Sequence, residues 1–128
     1  MFSGATSFNQ PLNNWNVSNV TIMHAMFREA KDFDQPLNNW NVSNVAHMHA
    51  MFCEAKEFDQ PLNNWNVSNV INMSEMFRNT KQFNQPLNDW NISNYRIQNM
   101  FVKDMFSDAK SFNIAENATL YINYNNIY

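Results

Sequence analysis

The stretch LNNWNVSNVTIMHAMFREAKDFDQ, residues 12–35, decides the fold because the chain repeats it. Sliding the sequence along itself by 25 residues aligns four nearly identical copies, each with one tryptophan: Trp15, Trp40, Trp65 and Trp90. The fourth copy is longer, since a four-residue insertion lies between Tyr95 and Asp104. One unit is too small to bury its apolar side alone, whereas stacked units share a continuous core. The period therefore predicts a stack in which residues 25 apart are neighbours.

Two apolar spacings divide each unit. In the second half the apolar residues follow at steps of three, three, one, three and three, which predicts one face of a short helix. This stripe consists of Val20, Met23, Met26, Phe27, Ala30 and Phe33. Ser18 or Asn19 is the expected N-cap. In the first half, Trp15 and Val17 share one side of an extended segment, which predicts a very short strand.

The expected fold is an α/β repeat solenoid, with one short strand and one short helix per 25-residue coil and parallel strands stacked on one face. It covers residues 1–113 in four to five units, and residues 114–128 form a C-terminal cap or tail. The tryptophans are expected to form a buried ladder, because each shares its side with Val17 or its counterparts. Asparagine tolerates left-handed backbone and fills about a fifth of the chain. It is therefore expected at the corners, which are Asn13, Asn38, Asn63 and Asn88.

The chain resembles the 25-residue repeat of BspA-like surface proteins and mycoplasma-type lipoproteins, a divergent branch of the leucine-rich repeats. The resemblance rests on the frame LxxWxVSxVxxMxxMFxxAxxFDQ of residues 12–35 and extends over about residues 1–113. It implies a leucine-rich-repeat-like solenoid in an extracellular or cell-surface protein that adheres to host or neighbouring-cell components. Two features depart from the pattern. Val20 stands where the buried asparagine ladder of leucine-rich repeats belongs, and this sequence shows neither the export signal nor the lipidated cysteine.

Composition and charge exclude several function classes. Eight Lys and Arg against eleven Asp and Glu leave no basic surplus for a phosphate backbone, so no nucleic-acid partner is expected. No apolar run approaches the ~20 residues of a membrane span. The sequence holds no glycine-rich phosphate loop, nucleophile elbow or metalloprotease motif, and Cys53 has no base in its frame. We therefore expect no enzyme activity, no catalytic residues and no cofactor.

Two side-chain groups suggest metal binding, but each has a simpler explanation. His24, His47 and His49 lie close together in the frame and can bind a metal, yet Ser74 in register with His24 favours a variable outer surface. Asp34 and Asp59 form a short acidic ladder with fewer oxygen ligands than calcium needs. We therefore predict no metal site.

The predicted binding surface is the outward strand face, because it repeats uncharged donors and acceptors once per coil. It consists of Asn14, Asn16, Ser18, Asn39, Asn41, Ser43, Asn64, Asn66, Ser68, Asp89, Asn91 and Ser93. Such a grid suits a protein or glycan partner, although the asparagines can equally bond only to each other and stabilise the stack. The alternative is a structural spacer or self-associating assembly, since Met1 begins within a repeat and leaves an uncapped N-terminal coil for end-to-end association.

Overall fold

The structure is a computed structural model that describes residues 1–91 and 102–118. Within these ranges the regular secondary structure consists of one helix, α1 (Ile114–Asn117), and two isolated parallel bridges, Ile22 to His47 and His47 to Asn72. The expectation of an α/β solenoid with one helix and one strand per coil is therefore wrong. The described units consist almost entirely of hydrogen-bonded turns.

The expected helix over Val20–Phe33 is a run of turns because its amide groups bond to the next unit. The N–H groups of Ala25, Phe27 and Glu29 donate to carbonyls of the following unit at 2.8–2.9 Å, whereas an α-helix would use carbonyls four residues back. The alternate amides, including Met26 and Arg28, close turns three residues back. Apart from the single step between Met26 and Phe27, the apolar residues follow at intervals of three, which matches turns closed three residues back.

The expected strand is also replaced by turns. The N–H of Trp15 donates to the Leu12 carbonyl at 3.0 Å, and the N–H of Val20 donates to the Val17 carbonyl at 2.9 Å. Between them, Asn16 Oδ1 accepts from the Ser18 N–H at 3.1 Å, an Asx turn rather than a helix cap. The parallel bridges lie instead at residue 22 and its counterparts, inside the stretch where the spacing predicted a helix.

The left-handed corners lie at two positions per unit that the asparagine pattern did not indicate. Positive φ angles between 53° and 61° occur at Ala25, Glu29, Ala50, Glu54, Glu75, Asn79, Asp104 and Asp108. Asn13, Asn38, Asn63 and Asn88 lie in turns, as the corner prediction has it, but they are not among the positive-φ residues, so the expected left-handed backbone at these asparagines is wrong. The positive-φ residues occupy the third position of the turns whose N–H groups donate to the next unit. A type II turn requires positive φ at that position. Only the first unit has a glycine there, Gly4 with φ 74°.

Replacing Glu29 by glycine should stabilise the protein by about 0.5–1 kcal/mol. A non-glycine residue in the left-handed conformation costs ~1–2 kcal/mol, and glycine avoids this cost. Glycine also makes the unfolded chain more flexible, which offsets only part of the stabilisation. The lost ion pair to Arg28, 3.3 Å between two half-exposed side chains, contributes little. Urea unfolding measures the change. The control Arg28→Gly has ordinary backbone and should be destabilising, and equal losses in both variants would contradict the strain argument.

Aromatic ladders form the core, with rings stacked across successive units as the period predicts. The Phe27 ring lies 5.5 Å from Phe52, and Phe52 lies 5.6 Å from Phe77, with interplanar angles of 5° and 7°. A second ladder, starting at Phe8, runs beside the first through Phe33, Phe58, Phe83 and Phe112. Offset stacks of this kind add ~0.5–1.5 kcal/mol per pair to the burial of the rings. The ladders therefore hold the units in register.

The tryptophans form a third ladder with a polar anchor. Three of the four indole N–H groups donate to a leucine carbonyl of the preceding unit at 2.8–2.9 Å: Trp40 to Leu12, Trp65 to Leu37 and Trp90 to Leu62. The rings are almost parallel and 6.4–6.5 Å apart. This bond lets an apolar side chain be buried without leaving its one donor unpaired. The tryptophan thus contributes both burial and register to the stack.

Candidate functional site

The predicted binding residues lie on the outside of the stack, but they do not form a strand face. We call them the amide face, and Ser93 of this set lies outside the described residues. The asparagines and Asp89 are exposed, and the serines Ser18, Ser43 and Ser68 are half-buried. Their hydrogen bonds separate the amide face into two columns with different roles.

The first column is Asn16, Asn41 and Asn66, whose side-chain oxygens accept hydrogen bonds from their own unit. Asn41 Oδ1 accepts from the Ser43 N–H at 3.1 Å and from the Ser43 hydroxyl at 2.6 Å, and Asn16 makes the same pair of bonds to Ser18. Asn66 Oδ1 accepts from the Ser68 N–H at 3.1 Å. In this column the side-chain oxygen accepts the bonds of the Asx turn, and the NH₂ group is the donor that remains on the exposed side chain.

The second column is Asn14, Asn39, Asn64 and Asp89, one residue per unit. All four side chains are exposed, and they make no hydrogen bond to another residue in the described part of the chain. The backbone is nevertheless held, because the N–H of Asn39 donates to Asn13 Oδ1 at 3.2 Å and that of Asn64 to Asn38 Oδ1 at 3.0 Å. An exposed amide on a fixed backbone keeps two donors and an acceptor available for a ligand.

Stacked amides do occur, at the positions that were expected to be corners. Asn38 Nδ2 donates to Asn63 Oδ1 at 3.1 Å, and Asn88 Nδ2 donates to the Glu116 carbonyl at 2.8 Å. Asn13 and Asn38 belong to the same column, and their Oδ1 atoms accept from backbone N–H groups of the following unit. The asparagines that bond to each other and stabilise the stack are therefore the neighbours of the amide face, not the amide face itself. The period could have indicated it, since these asparagines repeat as regularly as the exposed ones.

The acidic ladder is a second structural device, which connects each unit to the next. Asp34 Oδ1 accepts from the Asp59 N–H at 2.9 Å and from Gln60 Nε2 at 3.0 Å. Asn9, Asp59 and Asn84 accept in the same way from the unit that follows each of them. These oxygens are therefore occupied by protein donors, which are glutamine side chains for Asn9, Asp34 and Asp59 and the Asn117 side chain for Asn84.

The tryptophans of the predicted core ladder differ between the first unit and the others. Trp40, Trp65 and Trp90 are buried, at 3 % exposure or less, whereas Trp15 is 44 % exposed. Trp15 belongs to the first unit of this sequence, and its indole N–H has no leucine carbonyl opposite it among the described residues. The polar anchor thus needs a unit on the N-terminal side.

The histidines and the cysteine form no reactive cluster in the part of the chain that the structure describes. The His24 and His49 rings are edge to face with centroids 5.6 Å apart, and His49 Nδ1 lies 2.8 Å from Ser74 Oγ. Residues 1–91 and 102–118 contain no group of three histidine, cysteine or acidic side chains that could hold a metal. Cys53 is buried, and this burial raises the pKa of its thiol, with Glu54 adding to the effect. A thiol held in its protonated form is a poor nucleophile.

The comparison with protein families agrees with the repeat. A family model described as a Mycoplasma protein of unknown function, DUF285, matches residues 1–119. The chain belongs to the DUF285 family. The expectation of a mycoplasma-type repeat is therefore confirmed, and the family carries no assigned activity. No curated protein and no solved structure matches the chain. No helix that the structure describes is long and apolar enough to cross a membrane.

Proposed function

We propose that this DUF285 chain is a non-catalytic interaction module that binds a protein or glycan through its amide face. The observation that carries the proposal is the second column, Asn14, Asn39, Asn64 and Asp89, which is exposed and makes no side-chain hydrogen bond within the described chain. Other asparagines already supply the bonds between units, so stability alone does not account for this column.

The spacing of the column supports a ligand with repeated polar groups. Successive units bring equivalent rings 5.5–6.5 Å apart, so equivalent amides are presented at regular short intervals. Each amide–ligand hydrogen bond contributes only ~0.5–1.5 kcal/mol in water. Several contacts on one rigid array add up, because the second and third are made without a new loss of rotational freedom. Linear glycans and extended peptides both carry such repeated groups.

The proposed location is extracellular or at the cell surface. It rests on the resemblance of the frame to BspA-like surface proteins. The asparagines of the amide face are also suited to weak multivalent adhesion, because contacts of uncharged amides are little affected by salt. In this setting the module is expected to need no cofactor.

A structural spacer is the second candidate, and one observation favours it. The amide bond from Asn38 to Asn63 and the ladder of Asn9, Asp34, Asp59 and Asn84, each accepting from the following unit, connect successive units. A rigid rod of this kind separates two attachment points without binding anything along its side. The two candidates differ in whether the amide face contacts a ligand.

The double variant Asn39→Ala/Asn64→Ala tests the proposal on an array of immobilised linear oligosaccharides. We expect the labelled wild-type chain to bind a subset of the array, and the variant to bind the same glycans about tenfold more weakly, because two amide contacts of ~0.5–1.5 kcal/mol each are lost. The free energy of unfolding should change by less than ~1 kcal/mol, since the two removed amides have no bond inside the described chain.

The matched control is Asp32→Ala/Gln82→Ala, which removes two exposed polar side chains at another repeat position of the same stack. It should bind like the wild type. Equal binding by the amide variant would contradict the role of the second column. If no glycan binds and the amide variant also binds a purified surface-protein panel like the wild type, the spacer is the better description.

A further inference from the structure

Four lysines occupy the same position of successive units and form a column that we call the basic column. It consists of Lys31, Lys56, Lys81 and Lys110. The backbone brings neighbouring members together, because the Lys81 N–H donates to the Lys56 carbonyl at 3.3 Å and the Glu57 N–H donates to the Lys31 carbonyl at 3.1 Å. The phenylalanine rings two positions later stack at 5.6–6.0 Å, so the column has a similar short period. Lys56 is half-buried and the other three lysines are exposed.

The lysines of the basic column are not neutralised by ion pairs. The ion pairs in the part of the chain that the structure describes join an arginine to a glutamate, Arg28 to Glu29 and Arg78 to Glu75, and neither includes a lysine. The sequence outside the described ranges contains no aspartate or glutamate that could supply the missing partner. The column therefore keeps its positive charge.

The acidic residues beside the basic column decrease along the stack. The position after each lysine holds, in chain order, Asp32, Glu57, Gln82 and Ser111. The acidic ladder changes in the same way, from Asp34 and Asp59 to Asn84 and Asn113. Asp108, two residues before Lys110, is the nearest acidic residue in sequence to the later half of the column. Positive charge therefore predominates around Lys81 and Lys110.

Stability does not account for the basic column. Like charges repel one another when they lie within the Debye length, which is ~8–10 Å at physiological salt. Lysines that repeat with the short period of the stack fall within this range, and no ion pair of the described residues offsets their repulsion. A ligand whose negative charges repeat along its length would remove the repulsion and gain one ion pair per unit.

We propose that the basic column binds an anionic linear glycan, whose sulfate or carboxylate groups repeat along the chain. Charge complementarity supports this ligand, because exposed ion pairs that are weak singly add up over a rigid array. A nucleic acid fits less well. The net charge of the chain is −3, and Phe33, Phe58 and Phe83 beside the column are buried, so bases cannot stack on them. The basic column shares no residue with the amide face, so this inference does not rest on the proposed function.

Titration of a fluorescein-labelled heparin oligosaccharide with the full chain, followed by fluorescence anisotropy, tests the basic column. We expect saturable binding that weakens between about 50 and 200 mM salt, because ion pairs to a polyanion release bound counterions. Lys81→Gln/Lys110→Gln should weaken binding about tenfold, since two exposed ion pairs are lost. Lys81→Arg/Lys110→Arg keeps both charges and should bind like the wild type. Both side chains are exposed, and circular dichroism verifies that the variants keep the fold.

The matched control is Arg28→Gln/Lys103→Gln, which removes the same charge from two exposed residues outside the basic column. It should bind heparin like the wild type. Asn39→Ala/Asn64→Ala should do so as well, which separates a failure of the basic column from a failure of the amide face. The absence of saturable binding overturns the proposal, as does an equal loss in the matched control. A single-stranded DNA of equal charge that binds as tightly, and is weakened by the same lysine variant, overturns the choice of a glycan.

Discussion

Replacing Trp40 by alanine should lower the free energy of unfolding by about 3–5 kcal/mol, as expected for a buried aromatic side chain. Trp40 is 3 % exposed and its ring is parallel to that of Trp65 at 6.5 Å. The variant also removes the donor that pairs with the Leu12 carbonyl at 2.8 Å. Urea unfolding followed by circular dichroism measures the loss. A loss below ~1 kcal/mol would show that the indole is exposed in solution and would make the tryptophans candidates for sugar stacking.

Two further variants separate burial from hydrogen bonding. Trp40→Phe keeps an aromatic ring but leaves the Leu12 carbonyl without its donor, so it should cost about 1–3 kcal/mol. Trp15→Ala should cost clearly less than Trp40→Ala, because Trp15 is 44 % exposed and makes no equivalent bond in the described chain. Equal losses for Trp15→Ala and Trp40→Ala would show that the anchor to the preceding unit carries no stability.

Phe52→Ala has the second large expected effect, a loss of about 3–5 kcal/mol. Phe52 is fully buried at the centre of the stack and contacts rings of both neighbouring units, Phe27 at 5.5 Å and Phe77 at 5.6 Å. Its ring also lies 4.2 Å from Phe58 of its own unit. Alanine would leave a cavity that three stacked rings cannot close. Chemical denaturation checks the loss.

The control for this position is the same substitution at the end of the ladder. Phe2 stacks on Phe27 at 5.6 Å from one side only and is half-buried, so Phe2→Ala should cost about half as much or less. Phe52→Leu should lose about 1.5 kcal/mol or less, because most of the volume is kept. Equal costs for Phe2→Ala and Phe52→Ala would contradict a core whose stability comes from contacts between units.

The stacking partners of the core follow from the repeat itself. Phe27, Phe52 and Phe77 are 25 residues apart, and a stack with that period brings them together whatever the local backbone does. The candidate site is predictable to the same extent, since the period places Asn39 and Asn64 in one column. Which asparagine column is structural and which is free could not be predicted, because Asn38 and Asn39 are adjacent and chemically identical.

The sequence by itself determined the period, the ladders and the polar outer positions, because these depend only on which residues recur every 25 positions. The tertiary structure decided the backbone. The backbone N–H groups of Ala25, Phe27 and Glu29 can donate within a helix or to the next unit. The bond to the next unit forms only when a neighbouring unit is stacked against them. Pairing across units satisfies the same donors and brings the phenylalanine rings into contact. Turns with left-handed residues at Ala25 and Glu29 therefore replace the helix that local spacing predicted.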